Sequence, residues 1–145
     1  MPRMSRAVLV LAAVAAVLSN ACASQAVLEA TDEPPAVVEA VEGSAVRQVT
    51  LTEDAEHRLG IATAAVQTSG GNAVVPTAAV LYDANGKTWV FTNPRAHVYI
   101  RAEVGIDEIK GDSTVLSAGP PADTLVVTVG VAELFGAESG VGDPE

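Results

Sequence analysis

A mainly β fold, a small barrel or sandwich with one short helix, is the class this sequence predicts, and three observations predict it. Short segments of alternating polar and apolar residues recur between Val46 and Val129. Turn residues separate them at close intervals, with Gly70-Gly71-Asn72, Asp83-Ala84-Asn85-Gly86 and Gly119-Pro120-Pro121 the clearest cases. Helical periods do not alternate with the strands, which excludes a parallel sheet built from βαβ units. Closing such a sheet would also hide its edges.

Ahead of this domain stand a signal peptide over 1–22 and a flexible, disordered acidic tether over 23–45. Arg3 and Arg6 precede an unbroken apolar run from Ala7 to Leu18, and small residues follow it. Basic start, short apolar core and small-residue exit is the layout of an export signal. The run is shorter than the roughly 18 to 20 residues that span a bilayer as a helix. Cys22, the single cysteine of the 145 residues, stands where the signal ends and has no disulfide partner in the chain. Its position resembles the lipid-bearing cysteine of bacterial lipoprotein signals, although Ser19 rather than Leu18 occupies the place three before it. Ala21-Cys22-Ala23 also fits ordinary small-x-small cleavage, which would release a chain beginning at Ser24. Lipid attachment at Cys22 is the expectation, with plain secretion and an uncleaved anchor as alternatives. The expected location is the extracytoplasmic face of a bacterial cell membrane, or the exterior if the cysteine is removed.

In the tether, Pro34-Pro35 interrupts any helix and the acids follow no apolar period. A flexible segment of this length spans about 25 Å root-mean-square. The alternative is that Val37, Val38 and Val41 dock on the domain as a short strand or helix. The domain itself is expected over 46–136, followed by a loose tail over 137–145.

Val46 to Leu51 alternates as a half-buried strand should. Thr52 is placed to cap a short helix whose first turn holds Glu53 and Asp54, and Gly60 to stop it. Strand character returns from Ile61 to Thr68. From Ala73 to Tyr82 the chain is apolar around Pro76, which predicts two strand pieces bent at the proline. Asp83 to Gly86 predicts a hairpin turn between Val80-Leu81-Tyr82 and Thr88-Trp89-Val90-Phe91. Val98 to Val104 has period two, with Tyr99, Arg101 and Glu103 on one face. Asp112 to Leu116 and Thr124 to Val129 are the last two strands, and Val131 to Phe135 a single helical turn.

Charge and composition exclude several functions. Of eight Lys and Arg, Arg3 and Arg6 leave with the signal, so six face eighteen Asp and Glu and the net charge becomes −12. Nucleic acid is not an expected partner at that balance. A lone tryptophan, Trp89, does not make a carbohydrate-stacking platform. His57 and His97, the only histidines, would each need further ligands to hold a metal. No Gly-x-Ser-x-Gly turn accompanies them, and the chain is not expected to be an enzyme. Asp107, Glu108 and Asp112 around Gly111 lack the alternating oxygen spacing of a calcium loop and read as a solvated turn. No cofactor is expected.

The stretches VTLTEDAEHRLGIATAAV, VVPTAAVLYDANGKTWVFT, YIRAEVGI and DSTVLSAGPPADTLVVTVG together resemble the membrane-proximal β-domain of periplasmic adaptor subunits, or membrane fusion proteins, of bacterial efflux transporters. In that family a VP-x-x-A-V strand leads through a glycine-containing turn to an aromatic strand, as Val75 to Val80 leads to Trp89 and Phe91. Val115 to Gly130 is similar to a later segment of the family. The likeness covers about residues 47–136. It implies an interaction module whose partner is an inner-membrane transporter or another envelope protein, held to the membrane by the lipid anchor. Full adaptors add a lipoyl-like domain and usually a helical hairpin. This chain shows neither, so bridging two membranes alone is not expected of it. Copper-binding adaptors use methionines near their N-terminus; here Met1 and Met4 both lie in the signal. A small-ligand-binding lipoprotein and a structural or assembly factor of the envelope are the alternative functions.

Overall fold

The computed structural model describes residues 33–140, which form eleven strands and two α-helices. Every strand pairing among them is antiparallel. The fold is mainly β, as the alternation predicts, and of the two expected architectures it is two packed sheets, not a closed barrel, that form.

The larger sheet runs in the order β1 (Ala36–Ala40), β2 (Arg47–Leu51), β8 (Val98–Glu103), β7 (Thr88–Arg95), β11 (Leu125–Val129), β3 (Ala62–Ala65). The short β6 (Leu81–Tyr82) also pairs with the start of β7, putting Leu81 opposite Trp89. The smaller sheet has the order β4 (Gln67–Ser69), β5 (Asn72–Pro76), β10 (Ser113–Ala118), β9 (Gly105–Lys110). Two strands pass from one sheet into the other. β3 continues through buried Val66 into β4, and β8 through buried Val104 into β9. Such corners let one chain segment serve both layers.

Period two explains how the middle of the larger sheet buries both faces. On β7, Val90 faces the smaller sheet and Phe91 the helices; on β11, Val126 and Val127 divide in the same way. Between the sheets, Val90 and Val126 meet Val75 and Leu116, with Val66 and Val104 at the corners. On the opposite face Phe91, Tyr99, Val49 and Val127 pack against Ala55 of α1 (Glu53–Leu59) and Leu134 of α2 (Val131–Glu138). The molecule therefore has three layers: helices, large sheet, small sheet.

The caps of α1 are those the sequence predicts. Thr52 Oγ1 accepts from the Ala55 N–H at 3.2 Å, and Gly60 ends the helix at φ 63°. Glu56 C=O then accepts from the Ile61 N–H, the bond that closes a left-handed helix end. α2 starts after Gly130, whose φ of 91° suits glycine and whose Cα lies so close to Ile61 that an added Cβ would fall 2.1 Å from that side chain.

Several expectations differ from what is seen. Among the described residues there are two α-helices, not one: the helical turn at Val131 to Phe135 continues to Glu138, past the start of the tail expected at 137. Within the stretch read as a tether, part of the alternative reading holds: Ala36–Ala40 forms β1 on β2, with Val38 opposite Val49 and packed on the core, while Val37 is exposed and Val41 lies past the strand's end. A separate strand over Gly105–Lys110 is not what the sequence predicts, since it carries the strand through YIRAEVGI only to Ile106 and reads Asp107 and Glu108 as a solvated turn. Its apolar residues, Ile106 and Ile109, are three apart, and a bulge is the reason they share a face: Glu108 pairs with Val115 but Ile106 with Leu116, leaving Asp107 unpaired. The signal, Cys22 and the tail beyond Gly140 lie outside the described residues.

Candidate functional site

Helix α1 brings the chain's two histidines together. The β7–β8 turn carries His97 in a left-handed conformation, φ 63°, with its C=O accepting from the Leu51 N–H at 2.9 Å just before the helix. That bond sets the imidazole against α1, where Nδ1 pairs with Glu56 Oε2. Glu53, Glu56, His57 and His97 border a cleft of about 500 Å³ that ends at Gly60 and Ile61. Beneath its wall Tyr99 is buried. Burial first, and then the neighbouring Glu56 carboxylate, push its phenol well above the ordinary tyrosine range.

The other flank of α1 is apolar. Leu51, Ala55, Leu59, Leu134 and Ala137 line a groove of about 290 Å³ between α1, α2 and β1, with Arg58 and Glu133 at its rim. A polar cleft and an apolar groove thus share one short helix.

A third cluster joins α2 to the large sheet. Arg101 lies on the helix-facing side of β8, opposite Phe91, so Trp89 is its diagonal neighbour. Its guanidinium sits 4.2 Å from the Trp89 ring centre and 5.3 Å from that of Phe135. Glu138, almost wholly buried, faces it from α2. Oε1 accepts from Arg101 Nη2 at 3.1 Å and from the Arg47 backbone N–H at 3.1 Å. Oε2 lies 2.9 Å from Arg101 Nε but outside hydrogen-bonding alignment, so this oxygen is held by charge alone. Trp89 Nε1 donates to Asp83 Oδ2 at 3.0 Å, while Asp83 Oδ1 accepts from the backbone N–H groups of Asn85 and Lys87. Desolvation acts to raise the Asp83 carboxyl, but these donors and nearby Arg101 outweigh it and hold the group below its usual value.

The structure separates the residues singled out from the sequence. His57 and His97 meet at one cleft, yet among the described residues no three His, Cys, Asp or Glu side chains are grouped to hold a metal ion. Phe91 is core, while Trp89 is half-buried as a platform for Arg101. Gly111-Asp112 forms the tight turn between β9 and β10, clasped by Thr77, whose N–H donates to Asp112 C=O and whose hydroxyl donates to Gly111 C=O. Sequence reading missed Glu56, Arg101 and Glu138. The last carries a usable signal: it stands four residues after buried Leu134, on the same helix face. Comparison of the chain with protein-family models, curated proteins and solved structures gives no match.

Proposed function

We propose that this chain is an adaptor-like interaction module, anchored through lipid at Cys22 to the extracytoplasmic face of a bacterial cell membrane and accessory to a transporter of the efflux type. The observation that supports it most is the course of the chain from Val75 to Phe91. Strand β5 ends at Pro76, a 3-10 turn over Thr77–Ala79 follows, and β6 then turns through Asp83 to Gly86 into the aromatic strand β7. The glycine-containing turn and the aromatic strand follow in the order the family resemblance leads to expect, while the 3-10 turn at Thr77–Ala79 breaks the single strand it implies for Val75 to Val80. The paired polar and apolar flanks of α1 suit contact with another protein better than enclosure of a small molecule.

The apolar groove beside α2 favours a second reading, a lipoprotein that captures a small apolar ligand, since its volume is near the lower end of ligand pockets, about 300 Å³. In-cell crosslinking of the full chain, followed by membrane solubilisation, pull-down and mass spectrometry, tests the first reading. Recovery of a multispanning permease is expected; recovery of wall-building proteins alone, or of nothing, removes transport as the function. A co-purifying apolar compound displaced by Leu59→Trp, at the exposed mouth of the groove, would instead favour ligand capture.

A further inference from the structure

The open edge of β9 points to a second copy of this chain. β9 is the outermost strand of the smaller sheet, and its outer edge pairs with no other strand among the described residues. Which of its peptide groups face outward follows from the turn. Lys110 and Ser113 close the two-residue turn Gly111-Asp112, and the residues closing such a turn exchange both backbone bonds. Alternation then leaves Ile109, opposite Thr114, with its N–H and C=O directed away from β10.

The side chains around this point are self-complementary. Glu108 and Lys110 project from the same face and pair with each other at 2.8 Å in the single chain. Ile109 projects from the opposite face, beside buried Thr114, yet is 50% exposed because it lies past the inter-sheet core. An antiparallel pairing of two β9 strands about a two-fold axis must be centred on one residue. Centring on Gly105 or Ile106 would draw buried Val104, at the corner where the chain leaves for the larger sheet, into the pairing. Centring on Asp107, Glu108 or Lys110 sets a charge against its own copy, which destabilises the pair. Centring on Ile109 sets Ile109 against Ile109, with both outward peptide groups bonded, and Glu108 against Lys110 twice, at non-bonded positions where side chains are closest.

We propose that the protein forms a two-fold dimer by antiparallel β9–β9 pairing centred on Ile109, joining the two small sheets into one of eight strands. Charged edge residues usually keep strands apart. Here the opposite signs two residues apart select one register instead, and the two-fold symmetry closes the assembly at two copies. This pairing stands apart from the transport reading, since it needs only the edge and its charges.

Sedimentation equilibrium of the purified full chain, in a concentration series reaching about 1 mM, tests it together with amide exchange at Ile109. A monomer–dimer equilibrium is expected, with the Ile109 amide gaining protection as the dimer fills. Glu108→Lys and Lys110→Glu each set like charges opposite one another and are expected to weaken the dimer about tenfold or more, and the double exchange to restore it. The two single changes move the net charge in opposite directions, so general repulsion between acidic molecules cannot produce the same loss in both. A chain that stays monomeric throughout the series overturns the proposal. So does a dimer indifferent to the single changes, or one in which the Ile109 amide remains unprotected.

Discussion

At the scale of single residues, the arrangement around α2 depends on one charge pair placed out of water. Removing one partner leaves the other charge buried, a loss of about 3 to 5 kcal/mol in comparable pairs, whereas replacing both with apolar groups is often neutral. Glu138→Ala is therefore expected to lower the urea midpoint strongly, and Arg101→Met with Glu138→Met to recover most of the loss. Losses from Glu138→Met and Arg101→Met that simply add in the double variant would show that the pair is not coupled. Tyr99 sets an alkaline limit. Its phenol ionises near 10 in the unfolded chain and at a higher pH in the fold. Between those values the native state holds a proton the unfolded state has released, so stability falls as pH rises. The contribution is fully present below about pH 10. Thermal melts from pH 8 to 11 are expected to fall faster for the natural chain than for Tyr99→Phe above that point. Asp83 works in the opposite direction: its depressed carboxyl stabilises the fold above the unfolded value of 3.8, and the benefit disappears as pH falls through the lower folded value. The gap between the natural chain and Asp83→Asn should accordingly narrow in acid.

At the scale of elements, local chemistry specifies α1 and tertiary packing specifies β1 and β9. Thr52 and Gly60 act through bonds to residues within the helix they bound, so the sequence carries the whole signal. Thr52→Ala is expected to cost about 1 kcal/mol by denaturant titration. β1 offers only Val37 and Val38 after two prolines, and its partner strand decides its conformation. In β9, the bulge at Asp107 shifts the face of every residue before it, which hides the strand from a period-two reading. Gly130 joins the two kinds of cause. Its positive φ is a local demand, but the contact with Ile61 exists only once β3 lies alongside β11. Gly130→Ala thus meets both strain and a clash, and should destabilise by more than the roughly 1 to 2 kcal/mol that a left-handed backbone alone imposes. A loss no larger than that would mean that Ile61 moves aside.

For the whole molecule, the two faces of β7 divide the core, and substitutions there report on different layers. Phe91→Ala, on the helix face, is expected to cost about 3 to 5 kcal/mol. If α2 and α1 pack as one layer on that face, the same variant should expose both helices to proteolysis before the small sheet. Anchoring is tested separately: Cys22→Ser is expected to move the protein from the membrane fraction to the soluble one, and an unchanged distribution would remove the lipid. Alternation, turn residues and caps are interactions among near neighbours, so the sequence by itself determined the β class, most strand positions, the hairpin at Asp83 to Gly86 and the limits of α1. What only the tertiary structure decided are the long-range choices: two open sheets instead of a barrel, His97 against Glu56, Arg101 against Glu138, and Ile109 left at an uncovered edge. Each joins segments far apart in sequence, and no local pattern carries the free energy that selects such a pairing over its competitors.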